Sequence, residues 1–374
     1  MRFTLSSTAL SSRLSSLARV INSKNSLPIL DCFLFEVSDM TLTITASDSE
    51  NVMRTSVKLD NQEGEGQFAV NNHTILDAVK ELPEQPLTLD VDTTNYTIKV
   101  VYQNGIYNFT AQNANEYPRI QPMPEDVTTL RITSNVLLDS INRSIFATAS
   151  EELRPVMNGI YFDLGPECLA IVASDGHKLV RNRNYSIREE EPKSFILPKK
   201  PASLLKGVLA KDESEVVIRF DNRNAELSFS DSQLQCRLIE GRYPNYNSVI
   251  PQDNPNVLTI DRKALLGALR RVLPFASESS QQIRLHLENG KLEISSEDID
   301  FATSAKEEIT CDYLGMKMDI GFKGTSLAEV LNNLVCDSVV LLLADPSRPC
   351  LIEPETQPEN EDILMLIMPM LLND

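Results

Sequence analysis

An α+β architecture of three tandem repeats is what the sequence predicts, on three observations. A short strand followed by an amphipathic helix opens the chain and returns twice at nearly constant spacing. A second helix, again led in by a strand, sits in the middle of each repeat. Between the helices, apolar and polar residues alternate in short runs separated by Asn, Asp and Gly turns, as half-buried strands do. A unit of about 125 residues with two helices and many strands buries one face of each helix against antiparallel sheet.

In chain order, Phe3-Thr4-Leu5 leads to Leu10, Leu14, Leu17 and Ile21; Ile132-Thr133 leads to Leu137, Ile141 and Ile145; Thr259-Ile260 leads to Leu265, Leu269 and Val272. The three- and four-residue spacing marks a helix with one apolar stripe. From Phe3 to Ile132 is 129 residues, and from Ile132 to Ile260 is 128. The middle helices carry Ile75, Leu76, Val79 and Leu82; Leu204, Leu205, Val208 and Leu209; and Leu327, Val330, Leu331 and Leu334. Their lead-in strands are Phe68 to Val70, Phe195 to Leu197 and Ile320 to Phe322. Alternating strands are exemplified by Leu42-Thr43-Ile44-Thr45, Leu87 to Val91 and Ala225 to Phe229. The repeats close alike, at Tyr117-Pro118, Tyr243-Pro244 and Met368-Pro369. Pro122 and Pro124, then Pro251 and Pro255, mark linkers, which sets domains at 1–125, 126–253 and 254–374.

Composition narrows the function classes. A net charge of −18 argues against a broadly basic nucleic-acid coat but leaves room for a local basic lining. No apolar run approaches the roughly 20 residues of a membrane helix, so no membrane is expected. The N-terminal stretch, with Arg2, Arg13, Arg19 and Lys24 and no acid before Asp31, has the look of a transit peptide. Its pattern recurs twice downstream, so it reads as folded structure. Six single cysteines without CxxC, and three histidines without a shared motif, point to a reducing cytoplasm, no metal and no cofactor.

The stretch Ala173-Ser174-Asp175-Gly176-His177-Lys178-Leu179-Val180 carries a strand into a glycine turn and leaves His177 and Leu179 on a surface bend. The closing Leu366-Ile367-Met368-Pro369-Met370 is an apolar tail that frays unless it docks. Together they predict one pocket for partner peptides. A competing hydrolase reading takes Asp175 and His177 as an acid-base pair with Ser174 as nucleophile. No nucleophile elbow is present, and Gly64-Glu65-Gly66 lacks the following helix of a nucleotide loop, so no enzyme is expected.

The chain resembles the sliding clamp family, the beta subunits of bacterial DNA polymerase III. The resemblance rests on Leu27-Pro28-Ile29-Leu30, Ser47-Asp48-Ser49-Glu50, Ala173 to Leu179, Leu197-Pro198-Lys199-Lys200, Leu238 to Pro251, Gly321-Phe322-Lys323 and Met368-Pro369-Met370, which span all three repeats in order. It implies three DNA-clamp domains per chain and a homodimer forming a six-domain ring, with helices inside and sheets outside. Double-stranded DNA threads the ring without sequence preference. The function implied is that of a non-catalytic processivity factor that tethers the polymerase catalytic subunit, the clamp loader and repair proteins through short peptide motifs.

The resemblance implies a peptide groove of Met157, Ser174, Gly176, His177, Lys178, Leu179, Pro244, Ser248, Val249, Pro349, Leu366, Ile367, Met368, Pro369 and Met370. Lys178 and Ser248 stand where relatives often have Arg, and Pro349 where another small polar residue occurs. Lys24, Lys199 and Lys200 match the family's DNA-lining positions; Arg13, Arg19, Lys80, Arg143, Lys206, Arg270 and Arg271 lie on or beside the repeated helices. The 277–282 loop lacks the basic residues that some relatives carry. Tyr107, Pro274 and Phe275 are the expected dimer contacts. The alternative in a different class is a repeat scaffold that binds proteins and not DNA.

Overall fold

The computed structural model describes residues 1–118, 121–150, 153–210 and 213–372. Among the described residues, six α-helices stand where the repeats place them: α1 Ser7–Ala18, α2 Asn72–Val79, α3 Ser134–Ser144, α4 Lys199–Val208, α5 Arg262–Val272 and α6 Gly324–Asn333. Side-chain caps start α1, α2 and α5, with Ser6 Oγ, Asn71 Oδ1 and Asp261 Oδ1 accepting from Ala9, Thr74 and Ala264 N–H at 3.1, 3.2 and 2.6 Å. The expected helices are overlong at their C-termini: Ile21, Leu82, Ile145, Leu209 and Leu334 keep the apolar spacing but lie beyond the last helical residue. In α3 the overrun is a 3-10 turn, Ile145–Ala147.

Triplication extends to single hydrogen bonds. The first residue of α1, α3 and α5 donates its backbone N–H to the segment after the following helix of its repeat: Ser7 to Gln85 O at 2.9 Å, Ser134 to Ser214 O at 2.8 Å, Arg262 to Asp337 O at 2.8 Å. Their side chains repeat the link, Ser7 Oγ to Pro83 O, Ser134 Oγ to Ala210 O and Arg262 Nε to Cys336 O. Each repeat thus locks its two helices together by the same device.

The described residues fall into two compact units rather than three, Met1–Leu138 with Lys200–Leu238, and Asp139–Lys199 with Ile239–Asp374. In the first unit, a five-stranded antiparallel sheet runs Asn61–Glu63, Arg2–Ser6, Pro86–Asp92, Thr97–Tyr102, Gly105–Thr110. Its eight-stranded sheet runs Thr128–Thr133, Glu215–Phe220, Asn224–Phe229, Ser232–Arg237, Asn51–Lys58, Thr41–Ser47, Cys32–Ser38, Gly66–Asn71. The seam between Ser232–Arg237 and Asn51–Lys58 (Ser232 opposite Thr55) welds the second repeat to the first, which is why compactness does not follow the linkers.

In the second unit, nine strands run Lys193–Pro198, Gly159–Leu164, Leu169–Ser174, Lys178–Asn184, Glu361–Ile367, Cys350–Pro354, Ser338–Leu343, Asn256–Asp261, Asp312–Tyr313. The seam is again between repeats, with Lys178 opposite Ile367. A four-stranded sheet, Thr303–Thr310, Lys291–Asp298, Gln282–Glu288, Met318–Lys323, completes it. The cysteines carry free thiols, and burial pushes those of Cys32 and Cys236 up to about 11 and about 12.

Candidate functional site

The closing apolar residues are not a loose tail. Glu361–Ile367 is a strand zipped antiparallel to Lys178–Asn184, so its alternate residues face opposite ways. Leu366 lies opposite Leu179 on the face that also holds Ala170, Val172, Tyr243, Tyr246, Ile250 and Leu351. Ile367 faces the other way, into the core with Ala173, Val180, Ile352 and Met365, and is 2 % exposed. This corrects the expectation that Ile367 lines the groove. Leu179, expected on a surface bend, is 2 % exposed, because the strand begins at Lys178 and the sheet pairs it on both sides.

Residues 368–371 form a docked extension. Met368 N–H donates to His177 O and Met370 N–H to Gly321 O, both at 2.8 Å, and Gln282 Nε2 donates to Leu371 O at 2.8 Å. A segment crossing to an edge strand is part of the repeat, since Gln112 N–H donates to Ala69 O and Ile239 N–H to Ile196 O. What is particular here is the chemistry of the crossing segment, with Met368 exposed and Pro369 and Met370 half-buried. Met157 is buried beside the partly buried Val156, His177, Pro244, Ser248 and Val249 are exposed, and Pro349 is half-buried. The structure therefore brings the glycine turn, the crossing segment and the 243–250 stretch to one apolar face with polar rims. Such a surface suits a short peptide with apolar anchors.

Sequence reasoning missed the floor of this surface. Tyr243 stacks on Tyr161 with ring centroids 4.6 Å apart, Tyr246 Oη donates to Asp163 at 2.8 Å, and burial pushes both hydroxyls Tyr243 and Tyr246 well up. Leu351 and Leu364 complete it. Two tyrosines and a valine at positions 243, 246 and 249 were the available signal, a three-residue aromatic spacing within a Pro- and Asn-rich stretch.

The turn is built by its aspartate. Asp175 Oδ1 accepts from His177 N–H at 2.8 Å and Lys178 N–H at 2.9 Å, Gly176 adopts φ 92, and Ser174 Oγ donates to Lys178 O at 2.9 Å. Lys178 Nζ bridges Asp175 at 2.9 Å and Glu329 of α6 at 3.2 Å. Burial pushes the Asp175 carboxyl up, but hydrogen bonds from Lys178 and from the turn amides outweigh it and hold the group below its usual range. The acid-base reading fails on this geometry: the carboxylate serves backbone amides and a lysine, and the serine proton goes to a carbonyl.

The basic candidates divide. In the first unit, Arg19, Lys24, Lys80 and Lys206 are exposed, as is Lys199 at the end of a segment of the second. Arg13 pairs with Asp231 at 3.2 Å, Lys80 with Asp77 at 2.7 Å, and Lys200 Nζ donates to Val20 O at 2.7 Å and pairs with Asp48. In the second unit, Arg270 donates to Asn332 at 2.8 Å and Arg271 to Glu307 at 2.9 Å, both exposed. Arg143 does not fit a DNA surface: its side chain is 11 % exposed and pairs at 2.9 Å with Glu361, itself 13 % exposed. Among the dimer candidates, Tyr107 lies on the outermost strand Gly105–Thr110, and Phe275 is exposed in the 3-10 turn after α5.

Comparison with known proteins gives a consistent result. Residues 1–121, 131–245 and 247–371 match family models of the DNA polymerase III beta subunit, respectively its N-terminal, central and C-terminal domains. Curated relatives include the beta sliding clamps of Pseudomonas putida, 27 % identical over 373 residues, and Haemophilus influenzae, 27 % over 374, with all of each chain covered. Among solved structures, a DnaN sliding clamp from Pseudomonas aeruginosa bound to griselimycin superposes with a TM-score of 0.93 at 26 % identity, covering 100 % of both chains. The beta subunit from Thermotoga maritima gives 0.90 at 26 %, with the same coverage.

Proposed function

This chain belongs to the DNA polymerase III beta subunit family and acts as a DNA sliding clamp, and on that premise we propose that two copies close head to tail around duplex DNA. One observation carries the proposal. Both seams inside the chain join the same two strand positions of successive repeats, Asn51–Lys58 to Ser232–Arg237 and Lys178–Asn184 to Glu361–Ile367. The third repeat's counterpart of the first position is Thr303–Thr310, and the first repeat's counterpart of the second is Gly105–Thr110. Each ends its sheet with an unpaired edge. Unpaired edges invite a strand, and a second copy offers the complementary one twice, which closes a heterologous pair.

Three domains per chain, bounded near residues 125 and 253, then give a ring of six, with helices inward and sheets outward. A closed ring holds DNA by topology and needs only weak, sequence-independent phosphate contacts from residues such as Lys24 and Lys199, so an acidic chain of net charge −18 is no obstacle. The molecule contributes no catalysis of its own. It tethers the polymerase and other replication and repair proteins at the apolar face around His177, Leu366 and Met368. Free thiols suit the cytoplasm that this role implies.

The test is retention on DNA. Loaded onto a nicked circle, the protein stays bound until the circle is linearised and then slides off the ends. Equal loss from circle and linear DNA supports a scaffold that does not encircle DNA.

A further inference from the structure

The aspartate turn recurs once per repeat, and two of its three copies are complete. Asp48 Oδ1 caps Glu50 and Asn51 N–H at 3.0 and 2.7 Å, Asp175 Oδ1 caps His177 and Lys178, and Asp298 Oδ1 caps Asp300 and Phe301 N–H at 3.0 and 3.2 Å. The other oxygen of Asp48 meets Lys200 Nζ, and that of Asp175 meets Lys178 Nζ, which also reaches Glu329. Each of these turns immediately precedes a seam strand. Lys200 and Glu329 belong to the middle helices α4 and α6 of the repeat on the far side of that seam.

Asp298 is 7 % exposed, yet among the described residues no cation pairs with it. Its turn displays Ile299 and Phe301 at 84 and 76 % exposure, and it precedes the unpaired edge Thr303–Thr310. The element that the repeat rule would bring against it is α2 of another copy. There the second residue, the place of Lys200 in α4, is His73, which is exposed and among the described residues makes no hydrogen bond or ion pair.

We propose that the Asp298 turn is an unfinished junction site that His73 of the partner subunit completes, with Ile299 and Phe301 buried by the same contact. This rests on the head-to-tail reading above. A histidine where the first internal seam has Lys200, the second drawing its cation from Lys178, makes the subunit junction, and not the internal ones, dependent on proton concentration near neutrality. The surrounding charges are already committed or carry one sign. On α2, Asp77 and Lys80 pair with each other; on the neighbouring α1, Arg13 pairs with Asp231; beside the turn, Arg271 of α5 pairs with Glu307. The strands Gly66–Asn71 and Gly105–Thr110 next to α2 carry no charge, and the turn adds Glu297 and Asp300. Lys306 of the edge strand is paired in turn with Glu293, so among the described residues the charges beside the turn left without an ion pair are acids. An imidazolium pairs with a carboxylate and a neutral imidazole does not, so the dimer is tighter at pH 6 than at pH 8.

Sedimentation equilibrium of the full chain at pH 6 and pH 8 tests the proposal. The dimer dissociation constant is expected to rise across that interval on the order of tenfold for each of the two junctions, about a hundredfold in all. His73→Lys is expected to stay tight at both pH values, and Asp298→Asn, which keeps the turn cap, to be equally weak at both. A dimer equally tight at pH 6 and 8, or a pH dependence that survives in His73→Lys, overturns the pair and leaves the ring standing. A chain monomeric throughout at micromolar concentration overturns the head-to-tail reading and the pair with it.

Discussion

Arg143 shows how a residue type misleads until its neighbours are known. On a helix face its charge resembles those of Arg13 and Arg271, but it is buried against Glu361. Removing one member of a buried pair strands the other, so Arg143→Ala is expected to destabilise the protein by about 3–5 kcal/mol in urea titrations. The same change should leave the salt dependence of DNA binding untouched. Lys24→Ala with Lys199→Ala should have the opposite profile, a shallower log K against log salt slope by about one per lost phosphate contact, with stability nearly unchanged. A slope that does not move would take both lysines off the DNA surface. Asp175 makes the pH prediction. Its carboxyl is held below the ordinary 3.8, so its contribution is complete above that value and vanishes as pH falls through the lowered one. Asp175→Asn should therefore flatten the acid limb of stability below about pH 4 in urea midpoints measured against pH; an unchanged limb would assign that limb to other carboxylates.

At the scale of elements, the docked segment after the last strand separates binding from folding. Deleting residues 368–374 removes the backbone bonds from Met368 and Met370 and the exposed methionine, and is expected to abolish calorimetric binding of a Leu- and Phe-containing peptide while the fold survives. Starting the deletion at Ile367 instead takes a fully packed side chain from the core, and should also lower the melting temperature. Full peptide affinity in the shorter deletion would remove this segment from the site. The helices and alternating strands were legible because their periodicity is local: Leu10, Leu14 and Leu17, or Leu87, Leu89 and Val91, report their own burial. Helix ends were not, since Leu209 and Leu334 stay buried by packing although they lie past the last helical residue. The final strand read as a tail because both its faces are buried, giving a continuous apolar run without alternation. The strand pairing at the seams had no local sign, and so the floor of the groove, where Tyr243, Tyr246, Leu351 and Leu364 pack with Leu179 and Leu366, stayed out of reach even though those two leucines were read as one pocket.

For the whole molecule, the exposed Phe275 beyond α5 is expected to lie at the subunit junction, and Phe275→Asp should yield monomers at micromolar concentration, because a buried unpaired charge costs several kcal/mol. A mass unchanged from wild type would place the contact elsewhere. The seams also impose an order on biosynthesis. Strand Lys178–Asn184 has one finished neighbour early, but its other neighbour, Glu361–Ile367, is made nearly 180 residues later. At 5–20 residues per second the ribosome needs about 10–35 s to supply it. Strand Asn51–Lys58 waits as long for Ser232–Arg237. A nascent clamp thus carries an open sheet edge through most of the synthesis of these repeats, and chaperone demand and sensitivity to premature termination are set by Glu361–Ile367, the strand that seals the second seam.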